Sequence, residues 1–248
     1  MSLIRVTLIV LAVAASSRAS AGVVILATDT DGEEKTTQRI VMEGQKLRLE
    51  SKGGAVIFDG ATKRSFQLDT ENKAYTEFSE VDRAFMKNLV AQSGKNPNAK
   101  KPAGPAFQKT GRTDRALGTS CDVYRVSDLD GEFDQEMCLA AFGAFGVQKS
   151  DFAPLRAFGD SMSDMIGEED VKTGWAEFPG VPLISWDLED GQRIEKFRVT
   201  KIEKRSVPAS EFAVPAGWKK NPGFAEQMKG MEKQMQEAMK KQQGGAGR

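Results

Sequence analysis

The two cysteines are the residues whose chemistry is easiest to interpret. Cys121 and Cys138 lack the Cys-x-x-Cys spacing of redox-active pairs. Disulfides persist in compartments outside the cytoplasm, and the two cysteines suit a protein that resides there. We therefore predict that the two cysteines form a structural disulfide. Closing so short a loop is expected to stabilise the fold by roughly 3 kcal/mol.

A hairpin places the cysteines close together. Residues 119–128 and 133–140 are predicted to be strands joined by a turn at Asp130-Gly131. With Cys121 opposite Cys138, Val123 faces Glu136 and Arg125 faces Asp134 on the same side of the hairpin. The other side carries the apolar residues Tyr124, Val126, Phe133 and Met137. We therefore expect the disulfide on the solvent-facing side.

The usual catalytic and metal-binding patterns are missing from the sequence. It contains no histidine, which excludes Ser-His-Asp, Cys-His and His-ligated zinc sites. Residues 159–163, Gly-Asp-Ser-Met-Ser, begin like a nucleophile elbow but lack its second glycine. Residues 29–32 and 128–131 resemble fragments of calcium loops, yet their glycines come too early, which favours hairpin turns. Most carboxylates lie in predicted turns or on exposed strand faces, where nothing would raise their pKa. We predict a protein that is not an enzyme and that uses no metal or cofactor.

The N-terminus has the features of a secretory signal peptide. Arg5 precedes an apolar run at residues 6–15, and residues 19–21, Ala-Ser-Ala, match a cleavage site. The run is about half the roughly 20 residues that span a bilayer. We predict cleavage after Ala21, export to the periplasm or exterior, and a mature chain without a transmembrane span or lipid anchor.

Composition and charge describe an ordinary globular protein. Hydrophobic residues make up 40% and charged residues 28% of the chain, and the formal net charge is +0. That balance argues against nucleic acid as a partner. We expect three parts: the signal peptide (1–21), a curved-sheet domain with helical insertions (22–220), and a C-terminal Met-rich helix with a frayed tail (221–248).

Short β runs separated by turn residues dominate the predicted domain. Within them, apolar residues such as Ile40 and Met42 alternate with polar neighbours, which is typical of an antiparallel meander with one apolar face. Asp190-Gly191 is a strong hairpin signal in the second half. The predicted strands are residues 23–28, 38–42, 46–50, 55–59, 65–69, 74–78, 174–178, 183–189 and 193–204.

Three helices complete the prediction. The first begins at Ser79, with Asp82 completing a capping box and Val81, Phe85 and Leu89 forming its apolar stripe. It ends at Ser93-Gly94. Residues 95–105 follow as a polar loop or linker, with a basic partner-binding segment as the alternative.

The second and third helices carry apolar stripes of their own. Ser150 is predicted to cap the second helix, and Asn221 the third, where Pro222 suits the first helical position. The third packs on the body or, alternatively, grips a protein partner or apolar ligand. The two stripes are Phe152, Leu155, Phe158 and Met162, and then Phe224, Met228, Met231, Met235 and Met239.

Five segments of the meander and its C-terminal end resemble an uncharacterised family of exported bacterial proteins known as a domain of unknown function. They are residues 46–49, 56–59, 68–69, 73–75 and 211–218. That family is similar to the periplasmic lipoprotein carriers LolA and LolB and to the lipoprotein LppX. The resemblance implies an α+β fold, mainly antiparallel β, in which a curved open (unclosed) β-barrel has helices packed on its concave side. It offers no catalytic residues to transfer.

A curved sheet must cover the apolar residues of its hollow side with its own helices or with a ligand. Six residues are candidates for this lining, with plain core packing as the alternative: Phe66, Leu68, Tyr75, Trp186, Phe197 and Val199. We predict a noncatalytic binder or envelope carrier of lipid or lipoprotein acyl chains, with a cavity of several hundred Å³ between sheet and helices. The alternative is a structural or protein-interaction envelope protein that has a filled core and docks through its C-terminal helix or the 95–105 loop.

Overall fold

The computed structural model describes residues 21–92, 106–127, 134–165 and 178–245. Several predicted features lie outside these residues: residues 1–20 of the signal peptide, the end of the first helix at Ser93-Gly94, the loop at 95–105, the turn at Asp130-Gly131, and residues 174–177 of one predicted strand.

In the described residues, twelve strands form one sheet that is mostly antiparallel, curled and unclosed. The order of strands across it is β12-β6-β5-β4-β3-β2-β1-β11-β10-β9-β8-β7, and among these described strands only β12 and β6 pair in parallel. The strands are β1 (Gly22–Asp31), β2 (Glu34–Glu43), β3 (Lys46–Ser51), β4 (Gly54–Asp59), β5 (Arg64–Asp69), β6 (Ala74–Phe78), β7 (Phe107–Ala116), β8 (Thr119–Val126), β9 (Gln135–Ala140), β10 (Val181–Glu189), β11 (Gln192–Arg205) and β12 (Lys219–Asn221). The predicted antiparallel, unclosed sheet is confirmed.

Three α-helices accompany the sheet in the described part of the chain: α1 (Glu80–Gln92), α2 (Ala153–Met165) and α3 (Phe224–Gly245). Short 3-10 helices add Phe142–Phe145, Lys149–Phe152 and Ala209–Phe212. The N-terminal meander, β1 to β6, joins the later strands, β7 to β11, through the pairing of β1 with β11. In this pairing Gly22 lies opposite Arg205. One continuous sheet therefore results from two separate runs of sequence.

The sheet has two differently covered faces. The helix face carries Met42, Leu47 and Phe58, and α2 packs against β2, β3 and β4 on this side. The strap face carries Val41 and Ile57, and the segment 206–218, which we name the strap, covers it with Val207, Phe212, Val214 and Trp218. Both faces are therefore apolar and covered, whereas the sequence predicted one apolar face.

The cysteine hairpin forms, but its predicted register and orientation are wrong. Cys121 and Cys138 are bonded, with their Cα atoms 5.3 Å apart. Val123, not Cys121, lies opposite Cys138, and Arg125 lies opposite Glu136. A shift of two residues leaves each side chain on its predicted side, yet it is the cysteine side that faces the core, and both cysteines are buried there. The predicted solvent-facing disulfide is therefore wrong.

The starts of the helices show which capping predictions hold. Ser79 and Asp82 form the predicted capping box, with the Ser79 N–H donating to Asp82 Oδ2 over 2.8 Å. Gln148, not Ser150, caps the 3-10 turn before α2, in a capping box with Asp151. Asn221 ends β12 instead of capping α3, so that prediction is also wrong.

The apolar stripes of the helices are only partly buried. Val81 is 65% exposed and does not share the packing of Phe85, whose ring lies 6.0 Å from that of Phe224. Met162 at the far end of the α2 stripe is also exposed. Within α3, Ala225 is buried but Met231 is exposed. Each stripe packs where its helix meets a neighbour and faces solvent beyond it.

β7 is the longest element that the sequence did not predict. Its ten residues, Phe107–Ala116, show no alternation of apolar and polar side chains and include several charged ones. β7 forms one end of the sheet, paired only with β8. Charged edge strands are expected, because they discourage pairing with other chains. The strand lacks a hydrophobic signature because of its position in the sheet.

Candidate functional site

The six predicted lining residues fall into two groups on opposite faces. Phe66, Leu68 and Tyr75 belong to a cluster on the strap face. Trp186, Phe197 and Val199 pack in or against the main core cluster on the helix face. The structure therefore does not bring the six together around one hollow.

The strap-face group is covered by the chain itself. The rings of Phe66 and Tyr75 lie 6.2 Å apart, edge to face. Phe212, Val214 and Trp218 of the strap pack against the same cluster. Leu68 and Tyr75 also line an open hollow of about 620 Å³, which they share with charged residues such as Arg39 and Glu50. The ligand contacts predicted for the group stay a prediction.

The helix-face group is similarly packed. Val199 lies opposite Ala27 of β1, and both are buried. Trp186 is buried as well, and the guanidinium carbon of Arg193 lies 4.7 Å from the centre of its ring. The register of these strands shifts between Leu26 and Ala27 and between Ser185 and Trp186. At each shift the regular alternation of side chains between the two faces is interrupted. Such bulges invert the faces of the residues beyond them, and no sequence signal marked them.

An apolar pocket lies elsewhere, between the start of α2 and the region where β9 ends and β10 begins. Its volume is about 350 Å³. The pocket is formed by the 3-10 helices Phe142–Phe145 and Lys149–Phe152, the first turns of α2, and residues 178–182. Its lining residues are Phe142, Lys149, Ser150, Phe152, Ala153, Leu155, Arg156, Phe178, Gly180 and Pro182. We name this feature the phenylalanine pocket.

Aromatic pairs build the walls of the phenylalanine pocket. The rings of Phe142 and Phe152 lie 5.5 Å apart, edge to face. Phe178 stacks at a tilt on Phe107, with ring centres 4.9 Å apart, which ties this wall to β7. Leu155 supplies aliphatic surface from α2 and is buried. Aromatic pairs of this kind hold their rings in defined positions, so the walls are preorganised.

Gly180 allows the strand behind the pocket to approach closely. A Cβ atom at this position would lie 2.3 Å from the carbonyl oxygen of Ala140, which is closer than real Cβ contacts occur. The neighbouring pair, Val181 opposite Ala140, begins the β9–β10 ladder. Glycine is therefore required where residues 178–182 enter the sheet.

Two cations stand at the rim of the phenylalanine pocket. Lys149 and Arg156 are both exposed, and the Arg156 guanidinium lies 3.8 Å from the Asp160 carboxylate. Lys149 begins a 3-10 helix that is anchored to β11, because Lys204 donates to Asp151 over 2.7 Å. An apolar interior with a positively charged rim matches a molecule that has an oily part and an anionic end.

Sequence reasoning placed Phe152 and Leu155 on the apolar stripe of a helix but assigned neither to a site, and it missed Phe142 and Phe178. A signal was available, because Phe142, Phe145, Phe152 and Phe158 are concentrated in one segment without strand alternation. Such density of aromatic residues outside strands indicates that a core or a pocket is built there.

Residues 21–218 match the family described as Domain of unknown function (DUF4412). The chain belongs to the DUF4412 family. The matched range contains all twelve strands except β12, and it includes every residue of the phenylalanine pocket. The DUF4412 region ends before α3 begins.

Other comparisons add little to the family assignment. A search of curated proteins gave no match. Two solved structures of PNGF-II, in the C2 and P21 space groups, are similar to this chain at 10% and 9% identity, with TM-scores of 0.38 and 0.37. Each alignment covers 82% of this chain, which spans only 31% of the PNGF-II chain. A likeness this weak says nothing about the activity of the DUF4412 chain.

Two further observations concern the described residues as a whole. No helix among them is long and apolar enough to cross a membrane. Within the same residues, no group of three or more acidic or cysteine side chains is arranged to hold a metal ion.

Proposed function

We propose that this DUF4412 chain is an exported, noncatalytic protein that binds a lipid or lipoprotein acyl chain, and that the phenylalanine pocket receives the apolar part. The observation that carries the proposal is an aromatic pocket with a cationic rim. Its volume of about 350 Å³ lies within the range typical of ligand pockets. An anionic head group would meet Lys149 and Arg156 while the chain enters between Phe142 and Phe178.

Export is part of the same proposal. It is supported by the signal-peptide pattern that ends at Ala21, directly before β1 begins at Gly22. The disulfide between Cys121 and Cys138 suits an oxidising compartment. The resemblance to LolA-type carriers supports a role as an envelope carrier or chaperone, which needs binding and release but no catalytic residue.

Binding of dodecanoic acid tests the proposal. The mature chain, residues 22–248, would be stripped of lipid and titrated with the acid in a calorimeter. Ala153 lines the pocket at the first position of α2 and is exposed, so Ala153→Trp should fill the entrance without removing core contacts. We expect wild type to bind saturably and A153W to bind at least about tenfold more weakly, the equivalent of about 1.4 kcal/mol.

A matched control separates the pocket from general hydrophobicity. Ala209 is also exposed and also begins a helical turn, but it lies in the strap. A209W should bind dodecanoic acid as wild type does. Absence of saturable binding to wild type, or equal binding by A153W, would contradict the proposal. Replacing Lys149 and Arg156 together with glutamine should weaken binding of the acid but leave binding of the uncharged dodecanol unchanged.

One observation favours the second candidate, an interaction protein that docks through its C-terminal helix. Met231 and Met235 of α3 are 61% and 59% exposed, and they lie four residues apart on one side of the helix. Exposed methionine stripes suit adaptable contacts with partner helices. This candidate predicts that deleting α3 abolishes a cellular interaction while dodecanoic acid binding is unaffected.

A further inference from the structure

A second polar site lies at the β7–β8 end of the sheet, apart from the residues of the phenylalanine pocket. An open cleft of about 700 Å³ is lined there by residues of β7 to β11 and of the turn between β10 and β11. At its base lies Glu136, whose side chain is only 2% exposed. The sequence analysis placed most carboxylates in turns or on exposed strand faces, and Glu136 departs from that expectation. We name this feature the arginine cleft.

Three guanidinium groups converge on this one carboxylate. Arg112 donates to Glu136 Oε1, and the Nε of Arg125 lies 3.6 Å from the same oxygen. Arg193 donates from Nε to Oε2 over 2.6 Å, and its guanidinium rests on the ring of Trp186. Glu136 therefore holds three guanidinium groups in place before any ligand arrives, and the ring of Trp186 also supports that of Arg193.

The charges in the arginine cleft do not balance. Three arginines face one carboxylate, which leaves two positive charges in excess, and Glu136 is the one acidic side chain among the described residues that line the cleft. Lys109 at the edge is already paired with Asp122 over 2.8 Å. Like charges this close repel unless an anion compensates them. Each guanidinium has five N–H donors, more than Glu136 can accept.

A β-bulge delivers one of these arginines to the cleft. Between the pairs Lys109–Tyr124 and Thr113–Asp122, three residues of β7 stand opposite the single residue Val123. Gly111, in the middle of the bulge, has a φ of 78°, a backbone angle that residues other than glycine rarely adopt. Bulges of this kind re-aim a side chain, here Arg112, and are often found beside functional sites.

We infer that the arginine cleft binds a doubly charged oxyanion, specifically a phosphate group. Phosphate offers several oxygens to forked guanidinium donors and carries the charge that the cleft lacks. Arg112 and Arg125 are half-exposed, so their outer N–H groups can meet such a ligand while Glu136 holds their inner edges. The phosphate can belong to a small soluble molecule or to a lipid head group.

The experiment uses the full mature chain and one pair of matched variants. Arg125 is the guanidinium farthest from Glu136, so Arg125→Gln should preserve the fold while removing a ligand contact. Arg115, an exposed arginine of β7 that does not line the cleft, provides the control Arg115→Gln. Arg112→Gln is a second cleft variant, and circular dichroism melting verifies that each variant is folded.

Two arms distinguish the sources of phosphate. The first titrates inorganic phosphate and glycerol 3-phosphate by calorimetry; the second measures co-sedimentation with vesicles of phosphatidylcholine containing phosphatidic acid. In at least one arm we expect saturable binding that R115Q retains and that R125Q and R112Q each weaken about tenfold. The arm that shows this dependence identifies the source.

The inference is overturned if wild type binds in neither arm, or if R125Q and R112Q bind as tightly as R115Q. Raising the salt concentration should weaken binding, because the contacts are charged and partly exposed. The phenylalanine pocket shares no residue with the arginine cleft. If wild type binds no phosphate but still binds dodecanoic acid, that result therefore counts against the cleft alone.

Discussion

Asp82 shows how much one buried carboxylate can organise. Its Oδ2 accepts from the N–H and hydroxyl of Ser79 at the start of α1, and its Oδ1 accepts from the N–H of Ala225 in α3 over 2.8 Å. Gly223 lets α3 come this close, because a Cβ atom there would lie 3.0 Å from Oδ1. Burial raises the pKa of Asp82, but the hydrogen bonds from Ala225 and Ser79 outweigh it and hold the pKa below its usual value. One side chain therefore caps two helices that are distant in sequence.

Asp82→Ala should destabilise the protein by about 2 kcal/mol, since each lost helix cap costs about 1 kcal/mol. The free energy of unfolding in urea measures this. Glu80→Ala, which removes an exposed acid from the first turn of α1, is the control and should change stability by about 0.5 kcal/mol or less. A loss in D82A no greater than that in E80A would show that Asp82 does not cap both helices.

At the scale of elements, the strap is held to the sheet by charge as well as by apolar contact. Arg39 of β2 donates to both carboxylate oxygens of Glu211, over 2.7 and 3.0 Å. Arg48 of β3 donates to the Glu211 backbone carbonyl and to Glu50. The hydrogen bond from Arg39 is the largest of the influences that lower the pKa of Glu211, and burial opposes it. This network fixes where the 3-10 turn of the strap lies on the strap face.

Glu211→Gln should cost about 1–2 kcal/mol near neutral pH, because a partly buried, bidentate pair is broken. The folded pKa of Glu211 lies below its usual value of 4.5. Its contribution is therefore fully present above pH 4.5 and is lost as the pH falls through the folded pKa. Melting temperatures measured against pH should show wild type and E211Q converging in acid. Glu226→Gln on α3, an exposed position, should melt near wild type.

At the scale of the whole molecule, the sheet and its two coverings form the stable body. The main core lies between the sheet and α2, and two smaller clusters lie under the strap. Among the described side chains, α3 meets the rest of the chain at its beginning, where Phe224 lies against Phe85 of α1 and Ala225 is buried. Met231 and Met235 farther along are exposed.

Ending the chain after Lys229 should therefore lower the melting temperature little, since the described side chains that it removes are exposed. Ending it after Pro222 should lower the melting temperature clearly, because it also removes Phe224 and the N–H that Asp82 caps. Thermal melting followed by circular dichroism compares the two truncations. Equal destabilisation by both would mean that the outer part of α3 packs on the body.

Local signals in the sequence determined which elements exist. Ten of the twelve strands overlap or match predicted β runs, because alternation and turn residues act over a few positions. The Asp190-Gly191 hairpin is an example, since both residues have the positive φ that its two-residue turn demands. The Ser79–Asp82 capping box is another, because its partners are three residues apart. The residue patterns also indicate a domain of unknown function, and the match to DUF4412 confirms that much, while export stays a prediction.

Only the tertiary structure decided which faces are covered and which residues meet. Bulges at Leu26–Ala27 and Ser185–Trp186 reverse which residues face each side of the sheet, and no residue pattern in the sequence predicts them. The charged edge strand β7 is recognisable only once it lies at the end of the sheet. The arginine cleft depends on a carboxylate and three arginines from separate strands. Such features are set by pairing between distant segments, whose free energy depends on contacts that no short window of sequence contains.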